Sequence, residues 1–206
     1  MGDVAIHRRL VRANGLDLLL RDTRSEGPAL LCLHGRWGRG ETWVSLMRRY
    51  GARYRVLAPD QRGHGLSSKP IAKYSADEMA EDMVALLDSL GVDKAIVVGH
   101  SMGGYVAGFM AAAYPERVRA LAILDKSAAG PRNPCPPPPE EIPDTDPETK
   151  DWPMPFASLA EAEEFLRKEL GSALSYRYFM SSLVETAEGY RMMFSAQAMA
   201  ASIAYY

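Results

Sequence analysis

The residues best suited to chemistry stand in one short run, Gly99-His100-Ser101-Met102-Gly103, after the apolar stretch Lys94 to Val98 and before a helical stretch from Tyr105 to Tyr114. A serine with glycine two positions away on each side fits a sharp strand-to-helix turn. There a strained backbone lifts the hydroxyl into the open, and only small neighbours leave it room. On such a turn the serine is a nucleophile for acyl transfer. The helix that starts beneath it offers unpaired backbone N–H groups and a partial positive charge, both suited to an oxyanion. A serine that merely caps a helix is the alternative, and the strand before it and helix after it favour the nucleophile.

A serine hydroxyl needs a base to take its proton. The chain has four histidines, His7, His34, His64 and His100, and none follows Ser101. His100 sits inside the turn and is expected to be structural, pointing away from the serine. His34 lies in a loop that it shapes and where it could touch substrate. His64 belongs to a glycine-rich turn in which Asp60 and Arg62 are expected to pair locally.

The elements that must position these residues follow from periodicity. His7 to Val11 and Leu16 to Leu20 read as strands around Asn14-Gly15, a dipeptide suited to the positive φ angles of a tight hairpin turn. The apolar runs Ala29 to Leu33, Arg55 to Ala58, Lys94 to Val98 and Arg119 to Leu124 then alternate with helical stretches. That alternation signals a parallel sheet covered on both faces. Before the third run, Ser75 and Glu78 form a capping-box pair and Gly91 a left-handed stop, with Met79, Met83, Leu86, Leu87 and Leu90 as the buried stripe between them. Past Lys126, Gly130 to Pro139 holds six prolines. Ser127 to Pro155 therefore reads as an extended excursion, followed by helical stretches at Ser158 to Leu170, Tyr176 to Glu185 and Gly189 to Tyr206. Residues 1–126 form the core, and 127–206 the proline-rich excursion and a helical cap.

From Ala29 to Lys126 the chain resembles the α/β-hydrolase family. Three motifs carry the resemblance: the serine turn, Leu33-His34-Gly35-Arg36 after the first parallel run, and Pro59-Asp60-Gln61-Arg62-Gly63-His64-Gly65-Leu66-Ser67 after the next. It implies an α/β fold with a mostly parallel sheet flanked by helices, a helical cap, and the last strands absent from this sequence. It also implies Ser101 as nucleophile and an oxyanion hole made by the backbone N–H groups of Met102 and Arg36. Trp37 is the second choice for the loop donor, and Trp37 and His34 are expected at the substrate. Asp125 stands where some members of the family place the acid, although that position is more often structural, and no metal or cofactor is needed. The family's order is serine, acid, histidine, so the base and its more usual acid are expected beyond Tyr206. The apolar stretch Met192 to Tyr206 has no stop signal, so the sequence is expected to end mid-protein; a sheet lacking the family's later strands would expose an edge and apolar faces, which suggests aggregation or self-association. A serine nucleophile disfavours the epoxide-hydrolase and haloalkane-dehalogenase branches. A small or medium carboxylic ester or lactone is the expected substrate, with a carbon–carbon bond hydrolase, a perhydrolase and a non-catalytic binding module as the other readings.

Composition narrows the partners. The chain has 206 residues, 47% hydrophobic and 24% charged, with a formal net charge of −2. It has no basic patch for nucleic acid and no apolar run of about 18 residues to cross a membrane, so a small-molecule partner is expected. An N-terminus without the apolar segment of a secretory signal, and two cysteines that make no framework, point to the cytoplasm. Cys32 lies within the run Leu30 to Leu33 and is expected in the core.

Overall fold

Asn14 and Gly15 both adopt left-handed backbone, at φ +48° and +73°, and so join strand β1 (His7–Ala13) to β2 (Leu16–Asp22) in a tight antiparallel hairpin. The computed structural model describes residues 4–126 and 135–205. After the hairpin come β3 (Ala29–Leu33), β4 (Arg55–Pro59), β5 (Ala95–His100) and β6 (Val118–Leu124). The sheet order is β1-β2-β4-β3-β5-β6, with β4, β3, β5 and β6 mutually parallel. Leu31 pairs with Leu57 on one side and Val97 on the other. This order reverses between β3 and β5, which lie side by side although β4 intervenes in the chain. Open parallel sheets bind ligands at such a switch point, beyond the carboxyl ends of the strands. The loops after β3 and β5 therefore meet there.

Helix α1 (Val44–Tyr50) lies on one face of the sheet, and α2 (Ala76–Ser89) and α3 (Met102–Ala113) on the other. The stripe of α2 is buried as its spacing requires, with Met79, Met83, Leu86 and Leu87 packed on the main core. Each such side chain contributes on the order of 2 kcal/mol by leaving water. Gly91 ends the helix at φ +62°, and Cys32 is fully buried. The expected capping box does not form: no side-chain bond caps the helix at Ser75. Ser75 Oγ is buried without a partner, while Glu78 reaches back to accept from Tyr74 N at 2.8 Å and pairs with Arg62 at 2.8 Å. The pull of a buried guanidinium outweighs the local cap.

The second half differs from its sequence reading in two places. Helix α4 (Leu159–Leu170) matches, capped by Ser158 Oγ, which accepts from Glu161 N at 3.1 Å. The next two helical stretches instead split into α5 (Ala173–Met180), a hairpin of β7 (Leu183–Thr186) and β8 (Gly189–Met192), and α6 (Ala196–Tyr205). Gly189, at φ +129°, closes that hairpin in a conformation closed to other residues. Helix α6 joins the main core through Ala198, Met199 and Ala201. The excursion has no strand or α-helix among its described residues, 135–155, and its residues 127–134 lie outside the described ones.

Candidate active site

Ser101 links β5 to α3 with φ +50° and ψ −115°, a backbone geometry that non-glycine residues avoid and that persists only where the surroundings impose it. Its N–H donates to Leu124 O at 2.9 Å, and its carbonyl accepts from Gly104 N at 2.8 Å. The glycines around it are required by contact. A Cβ on Gly99 would collide with Gly103 O, one on Gly103 with Leu33 O, and one on Gly35 would lie 3.1 Å from Ser101 Cβ. The serine turn and the loop after β3 are thus packed backbone to backbone. Met102 is the first residue of α3, so its N–H has no partner within the helix.

The loop after β3 is held from below. His34 is fully buried and its tautomer follows from its bonds: Nδ1–H donates to Gly35 O at 2.8 Å, and Nε2 accepts from Gln61 N at 2.9 Å. Gly35 O also accepts from Gly38 N at 3.2 Å. The C=O and N–H of a trans peptide point in opposite directions, so pinning Gly35 O inward turns the N–H of Arg36 away from the buried imidazole. Gln61 Nε2 donates to His34 O at 2.7 Å, tying this loop to the turn after β4.

A cavity of about 290 Å³ opens over Ser101, lined by Arg36, Met102, Tyr105, Lys126, Glu148, Ser202 and Ile203 as well as the serine. Of the residues expected at the site, Ser101, Met102 and Arg36 meet here. His34 faces the turn after β4 and Trp37 faces α5, where its ring lies 5.4 Å from Phe179. Asp125 follows β6 beside the serine turn, at φ +53° and with its side chain 87% exposed. His100 Nε2 is 3.8 Å from its carboxylate, and the imidazole lies edge-on to Tyr178. Asp60 and Arg62 do not pair with each other. Asp60 accepts from Arg21 Nη1 and Gly40 N, both at 2.8 Å, while Arg62 reaches Asp82 and Glu78 on α2. Glu148, Ser202 and Ile203 carried no sequence signal, because they reach the cavity only through long-range packing. Among the described residues no group of three or more His, Cys, Asp or Glu is placed to hold a metal ion, and no helix is long and apolar enough to cross a membrane.

The histidines beneath the loop predict a pH response. Burial drives both His34 and His64 down to about 3, and their rings lie 4.9 Å apart. An unfolded histidine titrates near 6.5. Between those values the unfolded chain takes up protons that the folded chain refuses, so stability falls as pH drops. The slope approaches about 1.4 kcal/mol per pH unit for each histidine, and the effect vanishes above pH 7.5. Urea melts between pH 7.5 and 5.5 measure it. A midpoint that does not move over that range contradicts the buried, neutral pair.

Residues 28–182, more than half of the chain, match the family model described as alpha/beta hydrolase fold. The 2-(acetamidomethylene)succinate hydrolase of Mesorhizobium japonicum is 39% identical over 102 residues, covering 50% of this chain and 37% of that protein. The bifunctional epoxide hydrolase 2 of Sus scrofa is 42% identical over 105 residues, covering 48% of this chain and 18% of that protein. The matches thus span well under half the length of these curated relatives. A solved E-2-(acetamidomethylene)succinate hydrolase superposes with a TM-score of 0.82 at 28% identity, over 98% of this chain and 73% of that one. A marine microorganism esterase, at 24% identity and a TM-score of 0.72, shares the fold. With the switch-point geometry and the family match in agreement, the chain belongs to the α/β-hydrolase fold family.

Proposed function

We propose that this protein is a serine hydrolase that attacks a small or medium carboxylic ester or lactone with Ser101 Oγ and passes through an acyl-enzyme. The observation that carries this reading is the strained Ser101 opening into a cavity that Met102 and Arg36 also line. In the first step Oγ bonds to the carbonyl carbon while its proton passes to a base. The carbonyl oxygen takes the negative charge and accepts from the N–H groups of Met102 and Arg36. Collapse breaks the carbon–oxygen bond, the base returns its proton to the alkoxide oxygen, and the acyl group stays on Ser101, with the alcohol leaving from an ester and remaining tethered from a lactone. Water then repeats the attack and releases the acid.

Asp125 is our candidate for the acid that orients the base. Like Ser101 it is a non-glycine residue held at positive φ, and the two stand at the ends of paired strands. The base itself is not among the histidines that frame the loops. His34 and His64 are buried and neutral, and His100 lies 3.8 Å from the acid instead of in the cavity lining. We place it in chain that this sequence does not include, as more than a quarter of the solved relative lies outside the superposed part.

Fluorophosphonate labelling tests this reading, with imidazole added as an external base. A positioned base is worth about 10² to 10⁴ in rate, so the chain should label slowly alone and at least about tenfold faster with imidazole. Ser101→Ala should not label under either condition. Absence of any Ser101-dependent labelling would turn the interpretation to a non-catalytic binding module.

A further inference from the structure

We propose that Asp146 is a positioning residue for the loop after β3, holding the Arg36 and Trp37 side chains so that the Arg36 N–H keeps its direction toward the substrate. The inference rests on the reading of that N–H as an oxyanion donor.

Asp146 lies in the excursion, far from the serine in sequence, with its side chain only 1% exposed. Each of its carboxylate oxygens accepts two bonds. Oδ1 takes Arg36 Nη2 at 3.3 Å and Glu148 N at 3.4 Å, and Oδ2 takes Trp37 Nε1 at 2.9 Å and Thr149 Oγ1 at 2.6 Å. All of its roughly four acceptor sites are thereby used. The two bonds from its own turn fix the direction of the carboxylate, and the two from the loop spend it on residues 36 and 37.

The loop needs such a hold. Trp37 has φ +61°, a real outlier for a bulky side chain, and a conformation of that kind persists only when its surroundings over-determine it. Further contacts reinforce the grip. The Arg36 guanidinium stacks over the Trp37 ring at 4.2 Å, the ring packs on Phe179, and Tyr178 Oη donates to Arg36 O at 3.0 Å. Asp146, Tyr178 and Phe179 all come from the second half of the chain. His34 and Gly38 pin the carbonyl side of the Gly35–Arg36 peptide, while these later residues fix the segment that follows it. The loop is therefore shaped jointly by the core and by the excursion and cap docked on it.

Two variants of this chain separate a positioning role from a plain structural bond. Asp146→Asn keeps the shape and removes the charge. Trp37→Phe removes the indole N–H together with the five-membered ring that carries it, and keeps a phenyl ring that can pack on Phe179. Gly38 N–H, which donates to Gly35 O, reports on the loop by amide hydrogen exchange. It should exchange at least about tenfold faster in both variants, while amides of β5 and α2 keep their protection. In fluorophosphonate labelling with imidazole, kinact should fall about tenfold with KI unchanged, because the loss falls on the developing oxyanion and not on binding. The double variant should be no worse than the more affected single one. Unchanged Gly38 exchange in both variants overturns the proposal, as does faster exchange with an unaltered kinact. If the parent chain shows no Ser101-dependent labelling, the hydrolase reading fails separately, and Gly38 exchange alone decides whether Asp146 holds the loop.

Discussion

Gly103→Ala is expected to cost about 3 kcal/mol or more of stability and to eliminate Ser101-dependent labelling, although it adds a single methyl group. The added Cβ would collide with Leu33 O and lie 2.7 Å from His34 O, both backbone atoms at the end of β3. Backbone in a paired strand cannot step aside as a flexible side chain can, so α3 must retreat from the sheet. Overpacking of this kind costs about 1–3 kcal/mol and occasionally more. Retreat of α3 also carries Met102 N–H and Ser101 away from the Arg36 loop, which is why activity and stability should fall together. Gly108→Ala, five residues further along the same helix, is the control. Its Cβ would meet only Ile123 Cδ1, at 3.7 Å, and alanine gains up to about 1 kcal/mol over glycine in a helix. Denaturant melts of the two variants, with labelling alongside, should move in opposite directions. A Gly103→Ala protein as stable as the parent contradicts the backbone contact between the serine turn and β3.

This contrast shows which parts of the site sequence reasoning could reach. The serine turn was legible because its demands are local: a strand, two spaced glycines and a helix specify one geometry within a dozen residues, and the structure places Ser101 and Met102 accordingly. The paired strands and the α2 stripe were legible for the same reason. Asp60 and Arg62 show the limit. Nearness in sequence suggested a local pair, yet the turn after β4 sends Asp60 to Arg21 on β2 and Arg62 toward α2. The direction of a side chain on a tight turn is fixed by what packs on each side, and that is long-range information. The β7–β8 hairpin was hidden because its strands have four residues each and lie in a stretch that also fits a helical spacing. Asp146 carried no signal at all, since its partners Arg36 and Trp37 lie more than a hundred residues earlier.

The Arg62 cluster carries the other large prediction, Asp82→Ala, expected to destabilise the fold by about 3–5 kcal/mol. Asp82 is fully buried on α2 and accepts from Arg62 Nε at 2.5 Å, Arg62 Nη2 at 2.7 Å and Asn14 Nδ2 at 2.7 Å. The pair thus fastens three segments: the β1–β2 turn, the turn after β4, and α2. Without Asp82, the buried guanidinium keeps only Glu78, whose side chain is partly exposed, and Asn14 loses its acceptor. Most of the loss is the cost of a buried charge left without its partner, not the net worth of the pair. It follows that Arg62→Met combined with Asp82→Leu should be less destabilising than Asp82→Ala alone, because no orphaned charge remains. Equilibrium urea melts of the three proteins check the order, and a single variant within about 1 kcal/mol of the parent removes the basis for the argument. The cluster also bears on catalysis at one remove. Gln61, next to Arg62, holds His34 from both its ring and its carbonyl, and His34 pins the Gly35 carbonyl that directs the Arg36 N–H. A turn loosened by Asp82→Ala should therefore slow Ser101 labelling more than the double variant does.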